Sequence, residues 1–182
     1  MIERLEERFD LAVEASLREK GEDEIREELR KYLADAHAIE AQAIELLEKG
    51  PELAGDPKIA QVYEEHLAET REHAELVEQR LKALGGDPSG LKDAALRLGA
   101  LNWGAFFQGH PDTPGKLAAF AYAFEHLEIG GYEQLKRVAT RAGDTETAHL
   151  ADRIIGEERA AAAKLRGLLP EAAKLSLAVQ AS

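Results

Sequence analysis

The chain has 182 residues, with 35 acidic and 23 basic side chains, a formal net charge of −12 and no cysteine. That length suits one domain with a sizeable core, and without cysteine there can be no disulfide, Cys-based zinc or iron–sulfur centre, nor a rubredoxin-type electron-transfer module. The acidic balance argues against nucleic acid or an anionic membrane as a partner, because both demand a basic face.

An acidic surface is compatible with cation traffic, and it is equally an ordinary solubility device. Ala, Leu, Glu, Arg and Lys dominate, β-branched and aromatic residues are few, and no long alternating apolar pattern occurs. An all-α protein is expected. No basic N-terminal segment precedes an apolar run and no stretch is long enough to span a bilayer, so a cytoplasmic location is expected.

Residues 1–20 place Ile2, Leu5, Phe9, Val13 and Leu17 on one face, which predicts a short amphipathic helix ended by Gly21. Its apolar face must cover the main bundle or a second subunit. A helix over 23–49 follows, stopped by Gly50-Pro51, with the stripe Leu29, Leu33, Ala36, Glu40, Ile44 and Leu47. Glu40 lies seven residues from both Leu33 and Leu47, a core position, and His37 sits on the flank of the same face.

After a Gly-, Pro- and Asp-rich loop, the next helix spans 57–84. Stepping back from Leu76 by helical increments meets His73, Glu69, His66 and then Val62, so polar groups occupy the middle of an apolar stripe. An ionised Glu buried alone costs several kcal/mol, so an inward Glu69 requires a partner.

The turn residues of 85–90 close that helix, and residues 91–108 read as a shorter apolar helix with Leu101, Trp103, Phe106 and Phe107. The connection of about 30 residues far exceeds a simple antiparallel turn, which predicts a long crossover between the second and third bundle helices. The third bundle helix, 116–142, brings Glu125 and Glu128 onto one face with Leu117, Ala121, Phe124 and Leu135. Asp144 can cap the fourth, 144–169, whose stripe of Ala151, Ile154, Ala161 and Leu165 includes Glu158.

Carboxylates thus stand at core positions in all four long helices. Dinuclear carboxylate bundles need about four carboxylates to neutralise and bridge two cations, and two imidazoles to fill terminal positions. Each residue also has an ordinary reading. Glu40 and Glu158 could be flank residues that reach water, and His73 a hydrogen-bonded core histidine. His66 and His37 read as structural groups or partners of ligands, Glu72 and Glu157 as solvated, and Tyr122 and Tyr132 as core aromatics. His110, His126 and His149 show no partner pattern.

The segments His66–His73, Tyr122–Tyr132 and Glu157–Arg159 resemble the YciE/YciF-type bacterial ferritin-like proteins over roughly residues 26–168, most distinctively in the third helix. The resemblance implies a ferritin-like four-helix bundle with a rubrerythrin-like dinuclear iron or manganese site, usually dimeric, and an association with stress responses. By that resemblance Glu40, Glu69, His73, Glu125, Glu128 and Glu158 are the metal ligands, with Glu69 and Glu158 bridging. Two departures stand out: Glu69 and His73 are four apart where ferritins use three, and Ala161 and Ala162 occupy the place of a second fourth-helix ligand. The site is therefore expected to be one ligand short, to be completed by water, Glu157 or a spare histidine. The function expected is metal binding with O2 or peroxide as substrate and an external electron donor. The alternatives are a non-enzymatic bundle dimer with a vestigial or mononuclear site, and an iron-storage cage.

Overall fold

Four helices make up the described part of the chain, residues 21–87 and 113–180 of the computed structural model. They are α1 (Glu22–Leu53), α2 (Pro57–Ala83), α3 (Thr113–Arg141) and α4 (Thr145–Gln180), with no strand among the described residues. The expected helices over 1–20 and 91–108 lie outside them.

Local chemistry sets the helix ends. The Asp56 carboxylate accepts from the Lys58 and Ile59 N–H groups at 2.8 and 3.2 Å, and Pro57 fills the first helical position of α2. At the start of α4, Asp144 accepts from Thr147 N–H at 3.0 Å. Gly143, with φ +70°, makes the sharp turn just before it.

Three-residue turns, 54–56 and 142–144, make α1 with α2 and α3 with α4 antiparallel hairpins. Arg80 near the end of α2 pairs with Asp144, whereas Gly55 in the α1–α2 turn lies against the Pro114 ring at the start of α3. So α2 ends and α3 begins at opposite ends of the bundle, which is the crossover topology expected. Helix α1 also packs along α3, and α2 along α4, closing a four-membered ring.

Two helices run further than their prolines suggested. Helix α1 continues through Gly50-Pro51 to Leu53, and α4 continues through Pro170 to Gln180. A proline removes one ladder hydrogen bond, and tertiary contacts offset that loss in both places. Gly50 is pressed against the buried Tyr63 ring, where an added Cβ would come within 2.7 Å. Beyond Pro170, Ala172 is buried and Ser176 Oγ accepts from Gly115 N–H at 2.8 Å.

The interior has two apolar clusters with a polar layer between them. One is built around Leu46, Leu47, Tyr63, Leu117, Phe124 and Leu165, the other around Leu29, Leu33, Val77, Leu135, Ile154 and Ile155. No helix among the described residues is long and apolar enough to cross a membrane.

Candidate metal centre

Each helix contributes to the polar layer at the point where its apolar stripe is interrupted. Glu40 comes from α1, His66 and His73 from α2, Glu125 and Glu128 from α3, and Glu158 from α4. All six are at most 3% exposed. The two histidines are seven residues apart, so both fall on the inward face of α2, and the three-residue spacing does the same for the two α3 carboxylates.

Ligand-type atoms of His66, Glu125, Glu128 and Glu158 all lie within 4.8 Å of one another, and so do those of Glu40, His73 and Glu158. Glu158 belongs to both groups. Its Oε1 is 2.9 Å from His73 Nδ1 and its Oε2 is 3.5 Å from His66 Nε2. His66 Nε2 also stands 2.8 Å from Glu125 Oε2, and His73 Nδ1 3.8 Å from Glu40 Oε1. Tyr132 O–H donates to Glu40 Oε1 in a short hydrogen bond.

Acceptors outnumber donors in this layer. Neither oxygen of Glu128, nor Glu40 Oε2, has a hydrogen-bond partner among the described residues, though all three are fully buried. Burial pushes the Glu40 carboxyl up to about 8, against the pull of His73, and Glu125 up to about 7, against His66. Glu128 rises well above the usual carboxylate range, from burial first and then from the charges of Glu40, Glu158 and Glu125. Burial also opposes ionisation of Glu158, yet the His73 and Glu125 hydrogen bonds and the two imidazolium charges hold it below its ordinary value. Burial alone would lower both imidazoles. Glu125 and Glu158 instead raise His66 to about 9, and Glu158 and Glu40 raise His73 to about 9.

The layer brings together five of the six residues singled out by sequence, and Glu69 is the one it leaves aside. The buried face of α2 runs Ile59, Tyr63, His66, Thr70, His73, Val77 and Leu81, so Thr70 takes the inward position expected for Glu69. Thr70 suits a buried site because its hydroxyl donates to His66 O at 2.9 Å. Glu69 is 43% exposed at the rim, with its Oε2 3.2 Å from His66 Nδ1. His66, read from sequence as a supporting group, lies in the layer itself.

Tyr132, read as a core aromatic, is in the core and also hydrogen-bonds a cluster carboxylate. Glu157, read as solvated, reaches His73 Nε2 at 2.7 Å. His37 stands apart, half-buried, with Glu78 and Lys82 as its charged neighbours. Tyr122 packs edge-on against His126, ring centroids 4.8 Å apart.

The bundle is shared with solved structures. A protein from Xanthomonas campestris pv. campestris str. ATCC 33913 is 24% identical, with 87% of this chain and 99% of that one covered and a TM-score of 0.69. The Desulfovibrio desulfuricans bacterioferritin, described with a diiron site in different catalytic states, is 20% identical over 86% of each chain, with a TM-score of 0.66. A ferritin-like, diiron-carboxylate protein from Bacillus anthracis str. Ames is 19% identical over 80% of this chain and 97% of that one, with a TM-score of 0.63. At such identities the likeness is one of fold, a ferritin-like four-helix bundle. A family model described as "Domain of unknown function (DUF892)" matches residues 24–178, and the chain belongs to that family.

Proposed function

We propose that the protein binds two divalent cations, iron or manganese, in the polar layer, held by Glu40, His66, His73, Glu125, Glu128 and Glu158. One observation carries the reading: four carboxylates and two imidazoles converge in a buried layer in which Glu128 has no hydrogen-bond partner among the described residues. Oxygen and imidazole donors suit Fe(II) and Mn(II). The charges match as well, since four carboxylates balance two dications.

The same balance explains how the layer survives without metal. The raised values of Glu40, Glu128, His66 and His73 describe four retained protons in place of two dications. Glu158 is suited to bridge, because it alone belongs to both groups. His66 supplies the imidazole that the fourth helix lacks, so the set reaches six without water.

A pair of such metals supplies redox chemistry toward O2 or peroxide. The chain's own part is to exclude water with the two flanking apolar clusters, and to hold a phenolic proton at Tyr132 beside Glu40. With no cysteine in the chain, turnover would draw electrons from an external donor. The Tyr122–Tyr132 segment, which supplies Glu125, Glu128 and Tyr132, supports placement with the YciE/YciF type.

Metal content of the purified protein, paired with anaerobic Fe(II) and Mn(II) titration of the apo form, tests the reading. Two equivalents per chain are expected. One equivalent would reduce the site to a mononuclear one, and none would leave a helical bundle with a vestigial site.

A further inference from the structure

Each imidazole in the layer has one nitrogen turned inward and the other turned to a carboxylate outside it. His73 presents Nδ1 to Glu158 and Glu40, and its Nε2 is 2.7 Å from Glu157 Oε2. His66 presents Nε2 to Glu125 and Glu158, and its Nδ1 is 3.2 Å from Glu69 Oε2. The two rings are thus used in opposite senses on one helix.

Glu157 is itself held. Arg153, one turn earlier on α4, donates from Nε to Glu157 Oε1 at 3.0 Å, and its Nη2 reaches Glu72 Oε1 on α2 at 2.6 Å. Glu72 precedes His73 directly, so two adjacent residues of α2 are tied to Arg153 and Glu157 of α4. The strap leaves the Glu157 carboxylate one free oxygen, and that oxygen meets the imidazole.

We propose that Glu157 and Glu69 are positioning residues that fix which ring nitrogen His73 and His66 turn toward the layer. A carboxylate that accepts the outer N–H selects the tautomer whose inner nitrogen carries a lone pair, orients the ring and makes that nitrogen a better donor. For His73 the inner nitrogen is Nδ1; for His66 it is Nε2. Glu157 makes the shorter contact and is restrained by Arg153, whereas Glu69 is half-exposed with a longer contact, so Glu157 has the larger effect. The inference rests on the metal-binding reading, with roles for two carboxylates outside the ligand set.

The test uses the full chain with Zn(II) as a diamagnetic probe, comparing wild type with Glu157→Ala, Glu157→Gln and Glu69→Ala. Long-range proton–nitrogen correlation spectra identify the zinc-bound nitrogen of each ring. Wild type should show His73 bound through Nδ1 with a slowly exchanging Nε2–H, and His66 bound through Nε2. Zinc affinity should fall roughly 10- to 100-fold in Glu157→Ala, less in Glu69→Ala, with partial recovery in Glu157→Gln, whose amide oxygen still accepts. The Nε2–H signal should lose its protection in the alanine variant while the apo melting temperature moves little. Wild-type zinc bound through His73 Nε2, or unchanged affinity and Nε2–H protection in both Glu157 variants, would overturn the proposal while leaving the metal site standing. A wild-type protein that takes up no zinc, iron or manganese would overturn both. Should Glu157→Ala fail to fold, the affinity and spectrum of Glu157→Gln decide.

Discussion

His66 and His73 stand two helical turns apart on α2, and a single carboxylate, Glu158, reaches from one ring to the other. One of its oxygens is 2.9 Å from His73 Nδ1 and the other 3.5 Å from His66 Nε2. A seven-residue step spans about 10.5 Å along a helix. Two side chains from that step converge on one carboxylate only if the rings lean toward each other. Glu158 on the facing helix therefore holds the centre of the layer, with Glu125 and Glu128 toward His66 and Glu40 toward His73.

That placement predicts an unequal set of ligand variants. Glu158→Ala should lose both equivalents of Fe(II), because it removes an atom from each group. Glu40→Ala and Glu128→Ala each remove an atom from one group and should retain about one equivalent of the two. Anaerobic titration followed by elemental analysis reads the difference. Equal losses in all three variants would contradict a shared Glu158.

Metal uptake should release protons. At neutral pH the apo layer holds protons on Glu40, whose carboxyl is raised to about 8, on Glu128, which burial and the neighbouring carboxylates hold well above the usual carboxylate range, and on the imidazoles of His66 and His73, raised to about 9. Ligation requires all four to leave, so loading should liberate roughly four protons per chain, and affinity should fall as pH falls. A dye titration in weakly buffered solution measures the yield. Release of fewer than two protons would mean that the layer is ionised without metal.

Much of the layer was legible because a glutamate seven residues from an apolar residue on either side, as Glu40 is from Leu33 and Leu47 and Glu158 is from Ala151 and Leu165, has nowhere to go but inward. The seven-residue spacing places Glu40 and Glu158 in the core, and the three-residue spacing puts Glu125 and Glu128 on one face. Helix α2 was harder, because two registers share His66 and His73. One passes through Val62, Glu69 and Leu76, the other through Tyr63, Thr70 and Val77, and the protein uses the second. Ile59, Tyr63, Val77 and Leu81 carry the signal for the second register, whereas Val62 and Leu76 give the first an apolar stripe of its own, with Glu69 at its centre. Pro51 and Pro170 misled for a different reason. Sequence shows the ladder bond that a proline removes, but not the packing of Tyr63 or the Ser176–Gly115 contact that outweighs it.

Glu128→Leu should stabilise the apo protein. The wild-type carboxyl is 1% exposed and has no hydrogen-bond partner among the described residues. An apolar side chain of similar volume removes that desolvation cost, about 1–3 kcal/mol, or roughly 2–4 °C in melting temperature per kcal/mol at this chain length. The same variant should show a smaller rise in melting temperature on adding Mn(II), because tight binding to the native state is what produces that rise. A lower apo melting temperature would show that Glu128 is satisfied without metal.

Asp144 ties the two hairpins together at the far end from the α1–α2 turn. Its carboxylate caps α4 through Thr147 N–H and takes a two-pronged contact from Arg80 Nη2 at 2.9 and 2.7 Å, while Arg80 Nε donates to Thr147 Oγ1. Burial opposes ionisation, but the Thr147 and Arg80 hydrogen bonds prevail and hold the carboxyl below its ordinary 3.8. Asp144→Ala should therefore cost about 1–2 kcal/mol at neutral pH. Because the folded value lies below the unfolded one, the ionised carboxylate's contribution is complete above about pH 5 and disappears as pH falls through the folded value. Thermal melts of the apo forms of wild type and Asp144→Ala should thus differ by a constant gap from pH 5 to 7 that narrows steadily below pH 4. A gap that stays constant or widens in acid would show that the carboxylate's charge contributes nothing at this junction.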